Sequence, residues 1–134
     1  MNKNRIIEIG RAIYPKTDSS PRSRHLCFAF KKSKLLAIGL NRSKSHPRNL
    51  RFNHIDREGN HFGEVAGVHA EMDSVLKLGY QEDYNKIVFV KVRLNMQNEV
   101  CLSRPCRACA GLFAQISPKK VIYTNTMGEF EEFN

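Results

Sequence analysis

The sequence predicts a three-layer α/β/α sandwich around a mixed sheet of four to five strands. Three observations predict it. The apolar periods run in the order helix, two strands, helix, strand, helix, strand. The run Leu26-Cys27-Phe28-Ala29-Phe30 is apolar on both of its alternating faces, which implies a sheet covered on both sides by helices. The chain left after the last clear strand is too short for a crossover helix.

From Asn4 to Tyr14, Ile6, Ile9, Gly10 and Ile13 fall at helical spacing and Pro15 stops the run, which predicts a short amphipathic helix over one sheet face. Lys16 to Arg24 is polar and basic and reads as a loop. His25 to Lys31 and Leu35 to Leu40 form a predicted antiparallel hairpin across Lys32-Ser33-Lys34, with Leu26, Phe28 and Phe30 on one side and Cys27 and Ala29 on the other. Asn41 to Val68 has no period of either kind and reads as a long loop. Its histidines, His46, His54 and His61, match no helix face or ligand spacing, so a solvated basic loop is a better reading than a second metal site.

Val68 to Gly79 is a predicted helix with Met72, Val75, Leu76 and Gly79 on one face and Gly79 as its stop. Lys86 to Leu94 alternates Val88, Val90 and Val92 against Ile87, Phe89 and Lys91, the pattern of a central strand. Met96-Gln97-Asn98 turns the chain toward Ser103. Cys106, Cys109, Ala110 and Phe113 recur at helical spacing, giving a third helix whose buried face begins with two thiols and whose first turn accommodates Pro105. Val121 to Thr124 is a further strand. Ten residues follow Thr124, whereas a parallel crossover takes about a dozen or more. Any last strand, Glu129 to Phe133 after a turn at Gly128, must therefore return antiparallel.

At 134 residues the chain is expected to be one domain. It has no apolar run of membrane-span length and no secretory signal at its start, which predicts a cytoplasmic protein with reduced thiols. Cys27, Cys101, Cys106 and Cys109 then read as metal ligands or small buried apolar residues. Charge is divided unevenly: residues 1–57 hold 14 Lys and Arg against 3 acids, net +11, and residues 58–134 hold 8 against 10, net −2. A basic half suggests a polyanionic partner, either nucleic acid or a phosphorylated small molecule.

Two short motifs carry the chemistry. His69-Ala70-Glu71 and Pro105-Cys106-Arg107-Ala108-Cys109 supply one imidazole and two thiols, a set that holds zinc while leaving a fourth position for water. By itself the C-x-x-C pair also reads as a redox pair or as two core thiols. The N-terminal turn of a helix lowers the pKa each thiol must cross to become a ligand. Glu71, two residues past the histidine, points to another side of the helix from His69, which suits a proton carrier facing a substrate better than a ligand. Asp73 lies one turn beyond His69; because it is not histidine, the metalloprotease pattern H-E-x-x-H is excluded, and Asp73 is left as a supporting group.

The pairing of H-x-E with P-C-x-x-C resembles the cytidine and deoxycytidylate deaminase superfamily, and the likeness runs from about Leu26 to Tyr123. It implies a sandwich of the cytidine deaminase type, Zn2+ on His69, Cys106 and Cys109, and Glu71 as the catalytic proton carrier. It further implies that Asn41 binds the sugar, that the Ala70 backbone N–H meets the base carbonyl and that the Arg104 carbonyl accepts from the exocyclic amine. Tyr123 resembles the strand-end tyrosine of polynucleotide cytosine deaminases. The implied activity is hydrolysis of cytosine to uracil in a nucleoside or nucleotide. The alternatives are the same reaction on single-stranded DNA or RNA, and an inactive nucleic-acid-binding module of the same fold. An antiparallel last strand looks like the nucleoside branch, while the basic half points toward phosphate. Relatives often assemble, so a homo-oligomer is also implied.

Overall fold

Alternation of side chains builds the sheet. The computed structural model describes residues 2–13, 24–41, 69–79 and 83–133. In it β1 (Arg24–Lys31) pairs antiparallel with β2 (Lys34–Leu40) on one side and with β3 (Val88–Leu94) on the other. Beyond β3, β4 (Val100–Cys101) folds back antiparallel on Arg93 and Leu94, and β5 (Lys120–Thr124) runs parallel to β3. β6 (Phe130–Glu132) closes that edge antiparallel to β5, as expected. The order is β2-β1-β3-β5-β6 with β4 attached to β3, six strands among the described residues rather than four to five. The additional strand is β4, whose two residues are too few to carry a period.

Helices cover both faces. Ile6 of α1 (Lys3–Ile13) packs with Leu26, Phe28, Val90, Val92 and Leu94. On the other side, α2 (Ala70–Leu78) and α3 (Arg107–Ile116) pack Val75, Leu112 and Phe113 onto Cys27, Ala29, Phe89 and Val121. The Phe89 and Phe113 rings meet at 5.1 Å between centroids, a distance at which aromatic pairs attract beyond simple burial. The two-sided reading of β1 is thus borne out residue by residue.

The buried face of α2 differs from expectation. Ala70, Glu71, Asp73, Ser74 and Val75 are buried, Met72 and Leu78 are partly buried against the core, and Leu76 is outside it. Helical spacing of apolar residues misplaced this face because the polar residues between them are the ones that reach the sheet. Gly79 does stop the helix, at φ 79°.

Two hairpin loops share one design. Asn95 and Asn125 each accept backbone N–H groups two and four residues on, at 2.9 Å. The fourth residue of each loop, Asn98 (φ 60°) or Gly128 (φ 76°), takes the left-handed conformation. This is the three-residue loop in which a type I turn is followed by a left-handed residue. It is written N-x-x-[NG]-E in both places, and the first copy creates β4. The β1–β2 turn instead places both Lys32 (φ 49°) and Ser33 (φ 68°) in the left-handed region, matching the twist of the strands.

Candidate metal centre and its cavity

One row across the sheet sets the floor of the site. Gly39 pairs with Cys27, Cys27 with Lys91, Lys91 with Tyr123, and Tyr123 with Glu131. Paired residues share a face, so this row lies under α2 and α3. Gly39 is the point of closest approach: a Cβ there would meet the Ala70 carbonyl oxygen and the Ser74 backbone nitrogen. The absent side chain lets the first turn of α2 lie directly on β2, which brings His69 and Glu71 to the strand ends.

His69 is the N-cap of α2 and Cys106 the N-cap of α3. The two helix starts face each other, and His69 Nδ1 lies 3.4 Å from the sulfurs of both Cys106 and Cys109. The three ligand atoms fall within 4.8 Å of one another. Tetrahedral zinc with ordinary bond lengths separates a nitrogen and a sulfur ligand by about 3.5 Å. Both the separations and the chemistry of the donors therefore fit a divalent cation of this kind. The sequence expected both thiols on a buried helix face, but only Cys109 is buried. Cys106 precedes the helix and lines the cavity instead.

The close approach of these three groups shifts each of them. A hydrogen bond from the Cys109 thiol, joined by His69 and opposed by burial, draws the Cys106 thiol down to about 3. Cys109, as donor to Cys106 and buried, is pushed well above the usual thiol value. The hydrogen bond to Cys106 outweighs burial and raises the His69 imidazole. Cys27, in the core, is pushed up by burial and takes no part in this cluster.

Beside the cluster is a cavity of about 350 Å³ lined by His25, Asn41, His69, Ala70, Glu71, Lys91, Arg104 and Cys106. Five residues singled out from the sequence, Asn41, His69, Ala70, Glu71 and Cys106, line it together with the predicted Arg104. Asn41 is held by His25, whose N–H donates to its Oδ1 at 3.0 Å. Ala70 opens α2, which has no side-chain cap, so its N–H belongs to the helix turn that lacks internal partners. Tyr123 is placed differently: its hydroxyl donates to Glu131 at 2.8 Å, and it is not among the cavity-lining residues. Arg42, Arg48, Arg51 and the rest of 42–68 lie outside the described residues, as do residues 16–23 of the basic loop, whose expected last residue, Arg24, instead opens β1 and is buried.

No family model and no curated protein matches the chain. Among solved structures, the dCMP deaminase from the cyanophage S-TIM5 in its apo form is similar over 91% of this chain and 79% of its own, with 20% identity and a TM-score of 0.54. The structure of that dCMP deaminase in complex with dCMP and dUMP is similar over 92% and 81%, with 18% identity and a TM-score of 0.54. The chain has the cytidine and deoxycytidylate deaminase fold.

Within this deaminase fold, Lys91 and Ser103, which the motifs did not reveal, position the site together with Asp73, the supporting group read from the sequence. Lys91 Nζ stands 3.0 Å from Glu71 Oε1, with side chains 5% and 1% exposed. Burial alone would push that ammonium down, but Glu71 and then Cys109 outweigh it and hold it above the usual lysine value. Ser103 ties the loop before α3 to the sheet: its hydroxyl donates to the Lys91 carbonyl at 2.9 Å and accepts from Thr124 N–H at 2.8 Å. Asp73 accepts from Leu40 N–H at 2.9 Å and pairs with Lys77 at 3.0 Å, so it anchors the strand end before Asn41 and stands apart from the ligand set. A lysine on an apolar central strand was the readable signal here, since a buried charge must find a partner.

Proposed function

We propose that the protein is a zinc-dependent hydrolytic deaminase that converts cytosine to uracil in a pyrimidine nucleotide or nucleoside, releasing ammonia. The observation that carries this reading is the meeting of His69, Cys106 and Cys109 at the wall of a cavity into which the buried Glu71 also faces. His69, Cys106 and Cys109 would hold the cation, which supplies Lewis acidity that makes a water nucleophilic at neutral pH.

The chain's own residues do the rest. Glu71 accepts a proton from the attacking water and delivers it to the ring nitrogen, and a second transfer lets the exocyclic amine leave as ammonia. Net, one water is consumed, the C–N bond to the amine is replaced by a C=O, and one ammonia is released. The Ala70 N–H is offered to the base carbonyl, the Arg104 backbone to the exocyclic amine, and Asn41 to the sugar. Tyr123 supports β6 through Glu131.

A single nucleoside or nucleotide is the favoured substrate size. The cavity falls near the lower end of the ligand-site range of about 300–1,000 Å³. The antiparallel β6 supports the same choice, since it resembles the nucleoside branch. The test is to incubate zinc-loaded protein with cytidine, deoxycytidine, CMP, dCMP and single-stranded DNA and RNA. Uracil is expected from a monomeric substrate. Uracil from the oligonucleotides alone, with binding that weakens steeply with salt, would transfer the reading to polynucleotides. Zinc-loaded protein that forms no uracil from any of them overturns it.

A further inference from the structure

Glu71 is asked to move a proton between two positions in a small cavity, yet a glutamate has three rotatable side-chain bonds. Something must hold it. Its Oε1 is buried and takes no directed hydrogen bond among the described residues. What that oxygen faces is the Lys91 ammonium, 3.0 Å away. Lys91 lines the same cavity and comes from the middle of β3, which is hydrogen-bonded to β1 on one side and β5 on the other. Its carbonyl is fixed in turn by the Ser103 hydroxyl. The cation is therefore mounted on the most constrained strand, and the carboxylate on a helix start.

Charge balance points the same way. Two thiolates and a carboxylate carry three negative charges, and a dication with one ammonium carries three positive. A buried carboxylate beside two thiolates is repelled by them, and the lysine offsets that repulsion from the opposite side.

We propose that Lys91 is the positioning residue for Glu71: its ammonium holds the carboxylate in the orientation from which it reaches both the attacking water and the substrate ring nitrogen. The proposal rests on the reading of Glu71 as the proton carrier. It concerns a residue outside both motifs, on a strand that contributes no ligand.

The experiment uses Lys91→Met, which keeps the length and removes the charge, and Lys91→Arg, which restores a cation. With zinc-loaded protein and whichever nucleotide the wild type turns over, Lys91→Met is expected to lower kcat by about 30-fold or more while KM changes by less than about threefold. Lys91→Arg recovers a substantial part of the loss. A Lys91→Met kcat within about twofold of wild type overturns the proposal. Thermal melting of wild type, Lys91→Met, Glu71→Gln and the double variant supplies a readout independent of turnover. The double variant is expected to melt above Lys91→Met, because the stranded carboxylate is then gone; strictly additive losses overturn the pairing. A wild type without activity removes the deaminase reading, while the melting series still decides the pairing.

Discussion

Gly39 and Ala70 meet more closely than any side chain would allow: a Cβ on Gly39 would collide with the Ala70 carbonyl oxygen and the Ser74 backbone nitrogen. Both are backbone atoms of α2, so relief requires the helix to lift. Gly39→Ala is expected to destabilise the protein by about 1–3 kcal/mol or more, the cost of overpacking against a surface that cannot yield. Because the lifted turn starts at His69, zinc affinity should fall as well. Urea unfolding and a chelator competition read the two effects; a variant with wild-type values in both would show that the approach is not needed.

Glu71 separates catalysis from architecture. Glu71→Gln keeps the shape and removes the proton acceptor, so turnover should drop by about 10²–10⁴-fold. Metal content should remain one ion per chain, since the carboxylate is not among the ligand atoms. Steady-state kinetics beside metal analysis of the same sample checks both statements. Loss of metal together with turnover would make Glu71 a ligand and contradict its assigned role.

Removal of a ligand should reverse that pattern. In Cys109→Ser the buried sulfur 3.4 Å from His69 Nδ1 is replaced by a hydroxyl that seldom serves zinc. Zinc should be lost on dialysis, and the thermal stabilisation that added zinc gives the wild type should vanish. Cys27→Ser provides the contrast, because Cys27 stands in the core and outside the ligand cluster: it costs stability but leaves metal content intact.

Such contrasts separate what could be read in the sequence from what could not. The clustering of His69, Cys106 and Cys109 and the place of Glu71 beside them were legible because helix-start spacing and donor chemistry are local properties. The antiparallel β6 was legible because the short turn at Gly128 can close a hairpin but cannot hold a parallel crossover. Lys91, Ser103 and the partner of Asp73 were not, since each contact joins residues at least 12 apart in the chain: Lys91 with Glu71, Ser103 with the Lys91 carbonyl, and Asp73 with Leu40 N–H. A polar residue on a helix reads as exposed until the sheet beneath it is known, which is also why the buried face of α2 was misread. The β4 strand escaped notice because a two-residue pairing follows from the Asn95 turn and not from hydrophobicity.

Ser103 tests how firmly the α3 loop must be held. Its hydroxyl serves the Lys91 carbonyl, the Thr124 N–H and the Thr124 hydroxyl, all buried. Ser103→Ala takes the side-chain partner from the Thr124 N–H, while the Thr124 hydroxyl keeps the Cys101 carbonyl, and should cost about 1–3 kcal/mol. Arg104, Pro105 and Cys106 follow directly, so the same substitution should weaken zinc binding more than a surface change of equal cost. Ser103→Thr, which retains the hydroxyl, should recover part of both losses in unfolding and chelator titrations.

His25 gives a pH dependence of determined sign. Burial, followed by Lys91, lowers its imidazole from 6.5 to about 4, with Arg93 and His69 acting in the same direction and Glu71 against them. Below about pH 6.5 the unfolded chain takes up a proton at His25 that the folded chain refuses until about pH 4. Stability therefore falls as the pH drops through that window and the loss levels off below it, reaching about 3 kcal/mol at most from this group. Urea unfolding of chelator-treated protein between pH 7 and pH 4 keeps acid release of metal out of the measurement. His25→Gln, which carries no titrating group at this position, should show the shallower decline; identical slopes for the two proteins would contradict the assignment of this acid sensitivity to His25.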